Sequence, residues 1–360
     1  MTQIEHCAST LPADLSYPDD SKSYPVPKDP IKYNEGGIPL TDIRKTAGPG
    51  AKSKTYWKSY MRRYGTLYLL LLLPVVFFII FRYVPMAYIL SAFKQNNIFK
   101  APWELPWAKN NGFEYFIKAF NDRTFINALR NTLTLNLLDL LAGFPAPILL
   151  ALILNELSFK RFKKITQTVL YLPHFLSWII ISGLALRLFA SNDGLLNILL
   201  KRMTGNPDAS IPFMADPNHW VATYVVLGIW KEAGWGTIIY LAALTGISPE
   251  LYEAAAVDGA GRFRRIWHVT LPGLRPTIIT LLIMNLGRIL GSEFDRPLAL
   301  SNRLVTDVSN VISIYVYQRG IQNSQFSLST AVGLFQSVVG VLFLLGANTL
   351  AKRFGERGIM

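Results

Sequence analysis

Two stretches of this chain, Gly65 to Phe81 and Leu328 to Ala351, carry no charged residue. An α-helix rises about 1.5 Å per residue, so roughly 20 apolar residues cross the ~30 Å hydrocarbon layer of a bilayer. Sparse charge and sufficient length pick out six such segments: about Tyr64 to Pro85, Thr132 to Asn155, Ile165 to Ala190, Trp220 to Ile247, Pro276 to Gly291, and Leu328 to Ala351. In lipid the backbone must satisfy its own N–H and C=O groups, which favours helices for these segments. With 51% hydrophobic and only 16% charged residues, the chain reads as an all-α integral membrane protein with six transmembrane helices.

A net charge of +13 raises the question of nucleic acid, but the basic residues sit beside the apolar segments. Seven lie between Arg44 and Arg63 with no acid among them, Lys160, Arg161, Lys163 and Lys164 form a second patch, and Lys352, Arg353 and Arg357 follow the last span. Basic flanks mark the cytoplasmic side, which predicts both termini inside and no nucleic-acid partner. The segment 82–131 also carries seven basic residues, but spread over a length where that rule weakens. Residues 1–63 read as a cytoplasmic tail, polar and proline-rich and then basic. Residues 64–355 read as the transmembrane domain, and 356–360 as a cytoplasmic end. Cys7 is the only cysteine, which excludes an intrachain disulfide and a thiolate metal site. The first apolar run begins too late for a cleavable signal peptide.

Between the fourth and fifth spans, residues 248–275 break the apolar pattern while keeping helix punctuation. Ser248 can cap a helix with Pro249 at its first position, and Asp258-Gly259 supplies a turn. A second short helix is expected from about Arg262 until Pro272 stops it. Ala254, Ala255 and Ala256 give a thin face that another backbone can approach. Tyr252, Phe263 and Trp267 offer larger anchors among Arg262, Arg264, Arg265 and His268. An amphipathic helix lying among lipid headgroups would suit the same residues.

This segment resembles the EAA loop of the membrane subunits of maltose-type, binding-protein-dependent ABC importers. The residues that carry the resemblance are Glu253, Ala254, Ala255, Asp258, Gly259, Ala260, Leu271 and Pro272. LRNTL from Leu129, YLPHFLSW from Tyr171, DGLLN from Asp193, IWKEAGWGTIIYLAAL from Ile229, YVYQRGI from Tyr315 and AVGLF from Ala331 narrow it to the complex-sugar branch, LplB-like and alginate-transporter-like. The resemblance covers the chain from about residue 60 onward. It departs from the expected Phe-Asp-Gln and Asn-Pro forms at Glu293-Phe294-Asp295-Arg296 and Asn302-Arg303.

The resemblance implies a permease subunit of the bacterial inner membrane. It would import oligosaccharides or polysaccharide fragments, with an acidic polymer such as alginate left open. It implies as partners a second permease, a pair of ATPase subunits and an extracytoplasmic solute-binding protein. Residues 248–275 would form a coupling helix pair on the cytoplasmic side, docking the ATPase through Tyr252, Glu253, Ala254, Ala255, Asp258, Gly259, Ala260, Phe263 and Trp267. No cofactor is expected on this chain; ATP and Mg would be bound by the ATPase subunits. Gly50-Ala51-Lys52-Ser53 lacks the Gly-Lys adjacency of a phosphate loop.

Ionisable groups inside a membrane are costly and need a reason. Lys231 and Glu232 fall mid-span; neighbours in sequence point about 100° apart on a helix, which argues against a pair between them and for an inter-helix ion pair or a substrate contact. Arg288 lies within a Gly287-xxx-Gly291 pattern suited to close helix contact, on the same face as Asn285. Sugar hydroxyls need hydrogen-bond partners and sugar rings stack on aromatic faces, so Trp178, Tyr240, Asn285 and Arg288 are the candidates for lining a substrate path, with packing as the alternative for each. An ion-coupled secondary sugar transporter is the main rival, although no internal repeat is visible between the halves. A membrane-embedded enzyme is a weaker one, because HExxH, GxSxG and paired acidic motifs are absent and His174, His219 and His268 fall at different depths. Neither catalytic residues nor a metal site is expected.

Overall fold

A computed structural model describes the chain from Ser53 to Arg353 apart from Ser292, together with Gly355 and Gly358, with side chains from Tyr60 onward. The tail expected over residues 1–63 lies mostly outside the described residues, as does most of 356–360. Among the described residues the regular structure is helical, with one isolated antiparallel bridge between Lys94 and Trp107. By its contacts the chain divides into two units, one ending at Phe78 and the other beginning at Ile79.

The first unit contributes helix α1, Ser53–Phe78. In the second, α2 (Glu114–Asn121) leads into α3 (Arg123–Leu138), which Asp122 caps by accepting from the Thr124 N–H at 2.9 Å. A π-turn over Asp139–Gly143 then joins α3 to α4 (Pro145–Glu156). The wider turn absorbs the N–H that Pro145 lacks, so the helix continues where a proline would otherwise break it.

The expected third span is broken. Helix α5 (Lys160–Tyr171) ends in a 3-10 turn over Leu172–Phe175, and α6 (Trp178–Phe189) restarts after a bend of 102°. Pro173 removes a backbone donor at the bend, and Ser177 caps the restart through the Ile180 N–H. The chain then passes through α7 (Leu195–Thr204) into α8 (Pro217–Leu244), capped by Asp216 and about 42 Å long by helical rise.

Helix α9 (Pro249–Val257) follows. Beyond it, α10 (Arg262–Arg265), a π-turn over Ile266–Thr270 and α11 (Leu271–Gly287) run as one rod. The stop expected at Pro272 is therefore corrected: the π-turn accommodates the proline, and the fifth apolar segment begins at Arg262. It also ends early, because Arg288 is the C-cap of α11 and Gly291 lies beyond the helix. The close approach expected of a Gly287/Gly291 pair is made instead by Gly287 with Gly340, where an added Cβ would stand 2.7 Å from the Gly287 carbonyl oxygen. Short helices α12 (Asp295–Leu300) and α13 (Ile312–Tyr317) precede the final α14 (Phe326–Arg353).

Among the described residues, four helical runs are long and apolar enough to cross a membrane: Tyr60–Phe93, Arg123–Glu156, Arg262–Gly287 and Phe326–Arg353. The bent pair Lys160–Phe175 and Trp178–Phe189 makes up to five. Helix α8, the fourth of the six expected, has the length but contains Lys231 and Glu232.

Three clusters form the core of the second unit. Phe125, Ala128, Tyr315, Leu328 and Ala331 centre one, Trp178, Ile181, Trp220, Tyr224 and Leu300 a second, and Ala151, Leu152, Tyr240, Leu244 and Leu274 a third. Asp122 ties the first cluster together at the helix ends, accepting from the Tyr315 hydroxyl and the Arg319 guanidinium at 2.9 Å each. Partial burial pushes the Asp122 carboxyl up, but the Thr124 N–H, the Tyr315 hydroxyl and the Arg319 charge outweigh it and hold it below the usual carboxylate range. A carboxylate with a depressed folded-state pKa stabilises the fold above its unfolded value and loses that contribution as the pH falls through the folded one. Asp122→Asn should therefore lower the thermal midpoint at neutral pH. The gap to the unsubstituted protein should close as the pH drops below about 4, which melting curves across pH would check.

Candidate functional site

Two separate places collect the residues singled out from sequence. The first is the turn between α8 and α11. Ser248 accepts the Glu250 N–H, Pro249 opens α9, and Gly259 adopts φ +73°, a left-handed angle that glycine reaches without a Cβ clash. The N–H groups of Asp258, Gly259 and Ala260 close the helix end on the carbonyls of Ala254, Ala256 and Ala255. Tyr252 is half-buried, its hydroxyl 3.2 Å from the Thr270 Oγ1, so it holds α9 against the π-turn. Ile247, Ile266 and Leu271 pack on the third core cluster, which roots both ends of the turn in the membrane domain.

What projects from this base is apolar and basic. Phe263 is 89% exposed, Trp267 70% and Val257 88%, and Glu253, Ala254, Asp258, Arg262 and Arg264 are exposed beside them, with Ala255 and Ala260 half-buried. Large aromatic side chains left this open beside basic residues suit a protein partner or lipid headgroups.

The second place is a cavity of about 460 Å³ between α3, α4, α8 and α11. Tyr240, Asn285 and Arg288 all line it, whereas Trp178 does not. Trp178 is buried in the second core cluster, with the Arg296 guanidinium 5.3 Å and the Lys231 ammonium 5.6 Å from its ring centre. The cavity also takes in Asn136, Asp139, Glu232, Trp235, Glu293 and Arg296.

Most of these charges are paired. Contrary to the expectation from helix geometry, Lys231 and Glu232 do meet, at 3.3 Å, because long flexible side chains can swing toward each other from adjacent positions. Both also reach the broken third span: Lys231 Nζ donates to the His174 carbonyl at 2.7 Å, and Glu232 lies 3.0 Å from His174 Nδ1. The His174 ring stacks on Trp235 at 4.5 Å. The inter-helix tie foreseen for Lys231 and Glu232 thus sits at the bend, where the 3-10 turn frees carbonyls that need donors.

Arg296, which in sequence is only a departure from the expected Phe-Asp-Gln form, is a structural centre of the cavity wall. It is 6% exposed and makes a two-pronged ion pair with Asp139 at 2.6 and 3.1 Å. It donates to the Tyr224 carbonyl at 2.6 Å and stacks over the Tyr224 ring at 3.7 Å. Gly228 makes room for it, since a Cβ there would overlap the guanidinium. Asp139, Glu293 and Arg296 are three charges close to apolar segments of a charge-poor chain, and that scarcity was the available signal. Among the described residues, no group of three or more His, Cys, Asp or Glu could hold a metal ion.

The family model described as binding-protein-dependent transport system inner membrane component matches residues 143–356. Protein LplB of Bacillus subtilis is 44% identical over 314 residues, covering 87% of this chain and 96% of that protein. The polygalacturonan/rhamnogalacturonan transport system permease protein YteP of Bacillus subtilis is 43% identical over 293 residues, covering 81% and 89%. A crystal structure of a bacterial alginate ABC transporter, in complex with an alginate pentasaccharide-bound periplasmic protein, contains a chain 39% identical to this one. That chain matches with a TM-score of 0.75 over 84% of this chain and 99% of its own length.

Proposed function

This chain belongs to the family of binding-protein-dependent transport system inner membrane components, and from that premise we propose how it serves as the permease subunit of a sugar ABC importer. It is a membrane-bound transport subunit, not an enzyme, and it works with a solute-binding protein and a second permease. In our reading it crosses the inner membrane six times, with α8 as the span that composition alone does not identify and with both termini cytoplasmic. Residues 1–63 form the tail, 64–355 the membrane domain and 356–360 the cytoplasmic end.

The exposed helix pair of residues 248–275 is the observation that carries the mechanism. Its apolar, basic surface fits a groove on an ATPase subunit, with Glu253, Ala254, Ala255, Asp258, Gly259, Ala260, Phe263 and Trp267 at the contact and Tyr252 holding the pair to the membrane domain. Because α10, the π-turn and α11 form one rod, a displacement at Phe263 is delivered to Asn285 and Arg288 at the other end, beside the cavity. Closure of the ATPase pair on ATP and Mg would thereby bias which side of the membrane the cavity faces.

The cargo is an oligosaccharide or polysaccharide fragment, the substrate class named for the polygalacturonan/rhamnogalacturonan and alginate systems. Tyr240, Asn285 and Arg288 meet it in the cavity, and Trp178 supports the wall from behind through Arg296. Purification of the tagged chain from its native membrane, with mass identification of its companions, tests this. A second permease, an ATPase and a saccharide-loaded binding protein are expected; recovery of the chain alone, active in uptake driven by the proton gradient, would overturn it.

A further inference from the structure

Behind Arg288, which with Gly291 also lines the smaller cavity, a larger groove of about 810 Å³ runs between the end of α11, α13 and α14. Its lining is mainly apolar and rich in glycine, with two aromatic rings and a few hydroxyl groups set into it. Phe294 and Tyr317 place their rings 5.0 Å apart on one wall. On another, Ser329, Thr330 and Ser337 donate their hydroxyl hydrogens to the carbonyls of Val316, Phe326 and Gly333. That leaves their oxygens as fixed acceptors for incoming hydroxyl groups. Gln336 is held by donating to the Leu290 carbonyl at 2.8 Å, which orients its own oxygen.

One charge enters this neutral groove. Among its described lining residues Arg288 is the single ionisable cation and no carboxylate is present. The side chain is exposed and makes no ion pair among the described residues, whereas Lys231 and Arg296 are both matched to carboxylates. An unmatched guanidinium at membrane depth is costly unless an anion visits it, and its planar fork suits a carboxylate.

Resting on the reading of this chain as a saccharide permease, we infer that the groove behind Arg288 is a subsite for uronic-acid units. Arg288 binds the sugar carboxylate, Phe294 and Tyr317 hold the ring face, and the α14 hydroxyls accept from the ring hydroxyls. Arg288 lines both this groove and the smaller cavity, and of the two only the groove is free of carboxylates among the described residues.

The test uses the assembled transporter, carrying Cys7→Ser and Ser337→Cys, in proteoliposomes with its binding protein. A water-soluble thiol reagent should modify Cys at 337. Oligogalacturonate should protect it, and the fully methyl-esterified oligomer of equal length should not. Arg288→Gln should raise the oligogalacturonate concentration for half-protection at least about tenfold, and Arg288→Lys, which keeps the charge but loses the fork, should raise it by a smaller factor. Equal protection by the ester, or modification without protection in a complex that still imports saccharide, would overturn the subsite and leave the permease reading standing. A groove closed to the reagent and crosslinked to the second permease would show it to be a subunit interface, again overturning the subsite. Absence of any saccharide uptake would overturn both readings.

Discussion

Arg296→Met is expected to destabilise the assembled protein by about 3 kcal/mol, at the lower end of the range for breaking a buried ion pair. Methionine fills much of the same volume, so the loss is chiefly electrostatic. Asp139 would keep its carboxylate beside the 460 Å³ cavity without the two donors at 2.6 and 3.1 Å, and the Tyr224 carbonyl would lose its side-chain donor. The cation stacked 3.7 Å from the Tyr224 ring centre would go as well. Since the residual cost comes from an unmatched acid, Asp139→Asn combined with Arg296→Met should recover a large part of it. Thermal melting of the detergent-solubilised complex measures both. If the double variant melts no higher than Arg296→Met alone, the pair is not what holds α12 against the π-turn after α3.

The second large effect is functional. Gly259→Pro should leave membrane insertion and complex assembly intact while uptake falls at least about tenfold and ATP hydrolysis continues without transport. Gly259 sits at φ +73°, and proline fixes φ near −65°, so the turn between α9 and α10 cannot survive the change. The substitution also deletes the Gly259 N–H that donates to the Ala256 carbonyl at 3.1 Å. Open space surrounds the position, so steric crowding is not the cause. Gly259→Ala separates the two: it meets no neighbour but disfavours the left-handed angle by about 1 kcal/mol, and it should retain most uptake. Wild-type uptake by Gly259→Pro would show that the turn does not transmit the ATPase movement.

Much of this was readable from residues. Charge-free runs located the outer helices, and Ser248, Pro249 and Gly259 placed the cap, first turn and exit of α9 because each acts through its own backbone angles. Proline misled at Pro272. Local chemistry predicts a stop there, yet a π-turn five residues long absorbs the defect, and nothing within the segment announces which outcome the surrounding packing selects. Pairings between distant segments were hidden for a related reason. Asp139 with Arg296 and Lys231 with the His174 carbonyl join residues far apart in sequence, so only the folded arrangement brings them within reach. Trp178 has an aromatic ring suited to a sugar, but in the fold the Arg296 guanidinium and the Lys231 ammonium stand 5.3 and 5.6 Å from its centre.

The projecting turn between α8 and α11 is proposed to be where a nucleotide-hydrolysing partner grips this permease. A single cysteine at Ala254 or Val257, in a Cys7→Ser background, allows site-directed crosslinking in membranes during active uptake. Capture of the ATPase subunit is expected from both positions, with a yield that changes when ATP is replaced by a non-hydrolysable analogue. Efficient crosslinking only to lipid or to the chain itself, in cells that import saccharide normally, would contradict it.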